Sequence, residues 1–235
     1  FILEVMGRNA GWLAASSALA RTSKEDAPHI ILLPEVAFNI KKFLAKIKNV
    51  VKKNGYCVIV ASEGAKYANG KFLAETNIKD AFGHAQLGGV APYLSSIISK
   101  KLKLKNHWAV SDYLQRSARH ITSKTDLLQA EAVGIHAIKY AIKNMNGVMP
   151  VIVRGKGEKY TWRIEPAPLS KIANVEKKLP KSFISKDGLD VTTKAIKYLQ
   201  PLIVGEAFPK FKNGVPIHTK LRLIEAPKKL TKWKN

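Results

Sequence analysis

An α/β fold built on a doubly wound, mostly parallel sheet is the architecture this sequence predicts. Short apolar runs alternate with amphipathic helical stretches, as parallel sheets covered by helices require. Three of those runs also end in a charged residue, Arg8, Glu35 and Glu63, and in open α/β sheets the carboxyl ends of the strands form the ligand crevice.

The elements follow in order. Phe1-Ile2-Leu3-Glu4-Val5 reads as a buried strand and Gly11 to Ala20 as a helix of good formers, which puts Met6-Gly7-Arg8-Asn9 on the turn between them. His29 to Leu33 is a strand closed by Pro34, which lacks the N–H a ladder needs. Asn39 to Lys53 carries Ile40, Phe43, Leu44, Ile47, Val50 and Val51 at helical spacing, and Asn54-Gly55 stops it. A strand from Tyr56 to Ala61 runs into Ser62-Glu63-Gly64-Ala65.

Lys66 to Pro92 reads as loop-rich, including the glycine-rich Phe82-Gly83-His84-Ala85-Gln86-Leu87-Gly88-Gly89. That segment lacks the dinucleotide fingerprint and the P-loop lysine, and His84 has no second ligand at metal spacing. Tyr93 to Leu102 reads as helix and His107 to Val110 as strand. Ser123 caps a helix that runs to about Asn144 with Asp126 in its first turn. Val148–Val153 and Tyr160–Ile164 pair around Gly155-Lys156-Gly157, Val191–Leu199 is a last helix closed by Pro201, and the Lys- and Pro-rich tail after Phe208 is expected to be loose.

Composition narrows the function. At 235 residues, 46% hydrophobic and 24% charged, the chain can bury a sizeable core. No apolar run approaches the ~20 residues of a membrane span, and no basic-then-apolar leader is present, so a cytoplasmic setting without membrane attachment is expected. Cys57 lies in an apolar run and reads as a small buried hydrophobe. The net charge of +23 invites a nucleic-acid partner. Its lysines are scattered, arginines are few, and no aromatics interleave with the basic clusters, so none is expected. The chain opens on Phe1 already inside a strand, and the fold is expected to begin upstream.

Arg8, Glu63 and Arg116 each follow a strand and form a chemically sensible set. A guanidinium fork grips phosphate while a carboxylate accepts hydrogen bonds from sugar hydroxyls. From the pattern alone, the same residues also fit separate loops on a basic surface.

Met6-Gly7-Arg8-Asn9-Ala10-Gly11-Trp12, then Pro34-Glu35, Glu63-Gly64 and Tyr113-Leu114-Gln115-Arg116-Ser117, resembles the C-terminal part of the 6-phosphofructokinase family in order and spacing. The Tyr-Leu-Gln-Arg-Ser form, with Ser123, Asp126, Glu131-Ala132 and Val133-Gly134, is similar to the branch that uses pyrophosphate. The stretch from Ala173-Asn174-Val175-Glu176 to Gly205-Glu206-Ala207 resembles bacterial members.

The resemblance implies a glycolytic phosphotransferase that moves a phosphoryl group from pyrophosphate, or from ATP in the other branch, to the 1-hydroxyl of fructose 6-phosphate. Met6, Gly7 and Arg8 match the sugar-phosphate motif, with Arg8 also stabilising charge on the phosphoryl group in flight. Glu63 matches the acid that binds sugar hydroxyls, and Tyr113 and Arg116 the ends of the motif that holds the 6-phosphate. The resemblance also implies Mg²⁺ and a homo-oligomer. The phosphate-cradling loop, the Mg²⁺ ligands and the catalytic base come from segments that precede Met6-Gly7-Arg8 in the family, and none occurs in this chain, which also leaves open a non-catalytic sugar-phosphate-binding subunit. Two departures stand out. Asp112 replaces a common glycine, and Lys105 and His107 stand where the family carries an arginine for the neighbouring subunit. Residues 1–112 are expected to form a sugar-phosphate-binding α/β domain. Residues 113–235 are expected to return to a larger domain through a long helix, paired β segments and a C-terminal extension.

Overall fold

In a computed structural model, residues 1–23, 25–79, 85–87, 89–225 and 227–229 are described. Ile2, Ile30 and Ile59 belong to apolar runs too short for helices, and all three are buried in one sheet. The elements are β1 (Ile2–Val5), α1 (Trp12–Ser16, extended by a 3₁₀ turn to Ala20), β2 (Ile30–Leu32), α2 (Ile40–Asn54), β3 (Ile59–Ser62), β4 (Glu75–Lys79), β5 (Ala85–Leu87), α3 (Val90–Leu102) and β6 (Trp108–Val110). They continue with α4 (Leu114–Ser117), α5 (Lys124–Ile142), β7 (Val148–Arg154), β8 (Trp162–Pro168), α6 (Thr193–Leu199), β9 (Phe211–Lys212) and β10 (Val215–Pro216).

The main sheet has the order β2-β3-β1-β6, with each neighbouring pair parallel. Ile2 faces Ile59 on one side and Trp108 on the other, which puts β1 in the interior of the sheet. One core, with Phe43, Ile47, Leu94 and Ile98, joins α2 and α3 to one face. A second core on the other face joins α1 to Leu179, Phe183, Ala195 and Leu199. The expected doubly wound, mostly parallel sheet is therefore the observed one.

Sequence signals set the boundaries. Asn39 accepts from the Lys42 N–H at 3.0 Å at the start of α2, and Gly55 ends it at φ 79°. Ser123 accepts from the Asp126 N–H at 3.1 Å at the start of α5. The β7–β8 pairing runs in register from Val148 opposite Pro168 to Arg154 opposite Trp162, longer than the pattern predicts.

Three expectations are corrected. The loop-rich segment from Lys66 to Pro92 contains two strands that the pattern does not announce, β4 and β5, paired antiparallel. Helix α3 starts at Val90 rather than Tyr93, Pro92 falling in its first turn, where a missing N–H costs nothing. The tail after Phe208 includes the small antiparallel pair β9–β10 around Asn213-Gly214. Phe82, Gly83, His84, Gly88 and Trp233 lie outside the described residues.

Candidate functional site

Met6-Gly7-Arg8 leaves the carboxyl end of β1 and is held from both neighbouring strands. On the β3 side, the Ser62 hydroxyl donates to the Gly7 carbonyl at 2.6 Å, and the Gly7 N–H donates to Glu63 Oε1 at 3.0 Å. On the β6 side, the Met6 N–H donates to Gln115 Oε1 at 3.3 Å. The turn is tight enough to demand glycine twice. Gly7 has φ 147°, and a Cβ on Gly64 would stand 1.9 Å from the Arg8 carbonyl oxygen.

The loop after β6 hangs from β1 through the Ser111 N–H, which donates to the Glu4 carbonyl at 3.1 Å. Asp112 follows with φ 40°, a left-handed conformation that L residues other than Asn and Asp rarely adopt. The departure at Asp112 thus falls at a backbone position that glycine adopts freely and that aspartate tolerates. Arg116 lies over the Tyr113 ring, its guanidinium carbon 5.2 Å from the ring centre.

Met6, Gly7, Arg8, Glu63, Tyr113 and Arg116 line one cleft of about 660 Å³ at the carboxyl ends of β1, β3 and β6. Glu4 and Asp112 line it as well. Among the described residues, the guanidinium groups of Arg8 and Arg116 form no ion pair with a protein carboxylate. Glu63 keeps Oε2 available while Oε1 holds Gly7. The cleft therefore presents two cations for an anion and an acceptor for a hydroxyl.

The remaining candidates lie elsewhere. Glu35 is drawn away from the crevice, its Oε1 accepting from the Gly11 N–H at 3.0 Å and the Leu179 N–H at 2.9 Å. Lys105 and His107 are exposed at or before the amino end of β6, the end remote from Arg116. His120 is exposed in a 3₁₀ turn. Trp12 packs between Phe183 and Tyr198, with ring centres 6.2 and 5.8 Å away, as a core residue should. Ser62, Gln115 and Glu4 were not singled out from the sequence. Ser62 and Gln115 sit beside expected site residues and act through backbone groups, a role no motif spacing reveals.

The profile of the family described as Phosphofructokinase (PFK) matches residues 1–141. The chain belongs to the phosphofructokinase family. It is 51% identical, over all of its length and 56% of the relative's, to a pyrophosphate--fructose 6-phosphate 1-phosphotransferase of Halomonas elongata. It is 52% identical, over 99% of its length and 56% of the relative's, to the protein of that name from Xanthomonas campestris pv. campestris. The solved pyrophosphate-dependent phosphofructokinase of Nitrosospira multiformis superposes with a TM-score of 0.85 at 46% identity, over the whole of this chain and 55% of that one. The chain thus spans about half the length of the curated relatives it matches.

The family resemblance implies magnesium, and this cleft offers no ready-made set of ligands for it. Glu4 is turned into the first turn of α3 and Glu63 onto Gly7. Among the described residues, no three His, Cys, Asp or Glu side chains cluster at ligand spacing. Nor, among them, is any helix long and apolar enough to cross a membrane.

Proposed function

We propose that this chain carries the fructose 6-phosphate half of a pyrophosphate-dependent phosphofructokinase site. The observation that carries the reading is the convergence of Arg8, Glu63, Tyr113 and Arg116 on one cleft, from three strand ends far apart in sequence. Arg116, presented on Tyr113, takes the 6-phosphate. Glu63 Oε2 accepts from a sugar hydroxyl while Met6 and Gly7 shape the floor. The 1-hydroxyl oxygen then attacks the terminal phosphorus of pyrophosphate in line, the P–O bond to the leaving phosphate breaks, and Arg8 stabilises the charge that develops. The base that takes the hydroxyl proton and the magnesium ligands are assigned to the part of the family fold outside this chain. The support for pyrophosphate over ATP is the pyrophosphate-dependent activity for which the Halomonas and Xanthomonas relatives are named.

The exposed face of α5 supports a chain that completes itself against more of that fold. Leu128, Ile135, Ile138 and Ile142 recur along one stripe and are 44 to 75% exposed, more apolar surface than a helix leaves to water by default. We assign this stripe to the remainder of the family fold, and the cytoplasmic homo-oligomer to the completed protein. A concentration-dependent dimer of the chain alone, abolished by Ile138→Asp in sedimentation, would give the stripe to a second copy instead. The division at residue 112 belongs to the same proposal, with the arm from Leu179 to Leu199 returning to the first part's core.

Calorimetric titration with fructose 6-phosphate, fructose and inorganic phosphate tests the reading. The sugar phosphate should bind more tightly than either component, and equal affinity for phosphate alone would refute it. Turnover assays with pyrophosphate and with ATP decide the donor, and absence of turnover with both would favour the non-catalytic binding subunit.

A further inference from the structure

Glu4 is among the most deeply buried charged side chains described, 2% exposed, and the proposed chemistry does not use it. Its place in the fold is unusual. It sits on β1, two residues before Met6, with Ala61 of β3 and Val110 of β6 as its neighbours in register. Its carboxylate accepts from the Ala91 N–H at 2.8 Å through Oε2 and from the Gly89 N–H at 3.2 Å through Oε1, satisfying free donors in the first turn of α3. Its carbonyl holds Ser111, from which the Asp112–Arg116 loop departs. One residue therefore ties together the strand end that carries Arg8, the helix behind the cleft and the loop that carries Arg116.

A carboxylate is a costly choice for this post. Burial pushes the Glu4 carboxyl above its ordinary value, and the nearby charge of Glu63 pushes the same way, while the N–H groups of Ala91, Gly89 and Val90 oppose them. With the folded value raised, ionised Glu4 subtracts stability as pH rises through that value. Arg8, Asp112 and Arg116 are the other charged groups lining the cleft. A carboxyl group buried here and bonded only to backbone N–H groups calls for a reason in the site.

We propose that Glu4 is a positioning residue for the sugar-phosphate site, its carboxyl group fixing the first turn of α3 against the strand end from which Met6-Gly7-Arg8 and the Ser111–Arg116 loop are placed. This rests on the hexose-phosphate reading of the cleft.

The test is Glu4→Gln in the full chain, followed by hydrogen exchange, thermal unfolding and fructose 6-phosphate calorimetry. Glutamine keeps one acceptor and turns an N–H₂ group toward the second donor. The Gly89 and Ala91 amides should exchange about tenfold faster and the dissociation constant should rise about tenfold, as loss of one charge-assisted bond implies. The melting temperature should stay equal or rise, a combination that a purely structural role would not give. Unchanged affinity, or weaker affinity with faster exchange across Ile59–Ser62 and a lower melting temperature, overturns the proposal. If the unaltered chain shows no preference for fructose 6-phosphate, the reading of the site fails separately. The Ser111, Leu114 and Arg116 amides then decide for Glu4, faster exchange upholding its role and unchanged exchange ending it.

Discussion

The Glu63 carboxylate holds the Gly7 N–H at 3.0 Å across 56 residues of chain, so the acid assigned to sugar hydroxyls also fixes the turn that presents Arg8. Binding chemistry and backbone geometry meet in one side chain. Changes around the cleft should accordingly separate into those that remove a ligand contact and those that move the frame.

Arg116→Ala belongs to the first kind. The side chain is exposed and lies on Tyr113 rather than in the core, so the fold should survive. Loss of one charge-assisted contact is worth about 2 kcal/mol, and calorimetry should show fructose 6-phosphate binding about thirtyfold weaker, with an unchanged unfolding midpoint.

Gly64→Ala belongs to the second. Its Cβ would meet the Arg8 carbonyl at 1.9 Å and the Gly7 carbonyl at 2.5 Å, both backbone atoms that cannot step aside alone. Urea unfolding should show a loss of about 1–3 kcal/mol, and sugar-phosphate binding should fall although no contact residue is altered.

Asp112→Gly should do the reverse. It relieves a left-handed φ of 40° and removes an acid from a cleft that takes an anion. Binding should tighten about two- to fivefold at low salt and less at high salt, as screening requires. The melting temperature should not fall.

The alternation that defines the sheet, the cap at Ser123 and the positions of Arg8, Glu63 and Arg116 after strands were legible because each rests on local spacing. What escaped was of three kinds. Strand β4, Glu-Thr-Asn-Ile-Lys, has no clean apolar alternation to announce it. Glu35 follows a strand like the other site residues, yet it bonds Leu179, 144 residues away, a partner that no window of sequence contains. Ser62 and Gln115 work on the backbone of the Met6-Gly7 turn, and that relation exists only once β3, β1 and β6 lie side by side. Asp112 departs from the pattern in residue type and takes a left-handed φ of 40°.

Burial pushes the Cys57 thiol up to about 11, against an unfolded value of 9.0, with Lys46 among the opposing charges. At pH 8 about one thiol in a thousand is then ionised, and alkylation by iodoacetamide should be slow until the chain unfolds. The thiol is ionised sooner in the unfolded chain, so stability should be unaffected below pH 9 and fall as pH rises from 9 towards 11.

A crystal structure of the chain with fructose 6-phosphate tests the central claim most directly. The account predicts the 6-phosphate within hydrogen-bond distance of the Arg116 guanidinium, and a sugar hydroxyl on Glu63 Oε2 beside the Met6-Gly7-Arg8 turn. A ligand seated elsewhere, or seated in this cleft with its phosphate away from both Arg8 and Arg116, would contradict it.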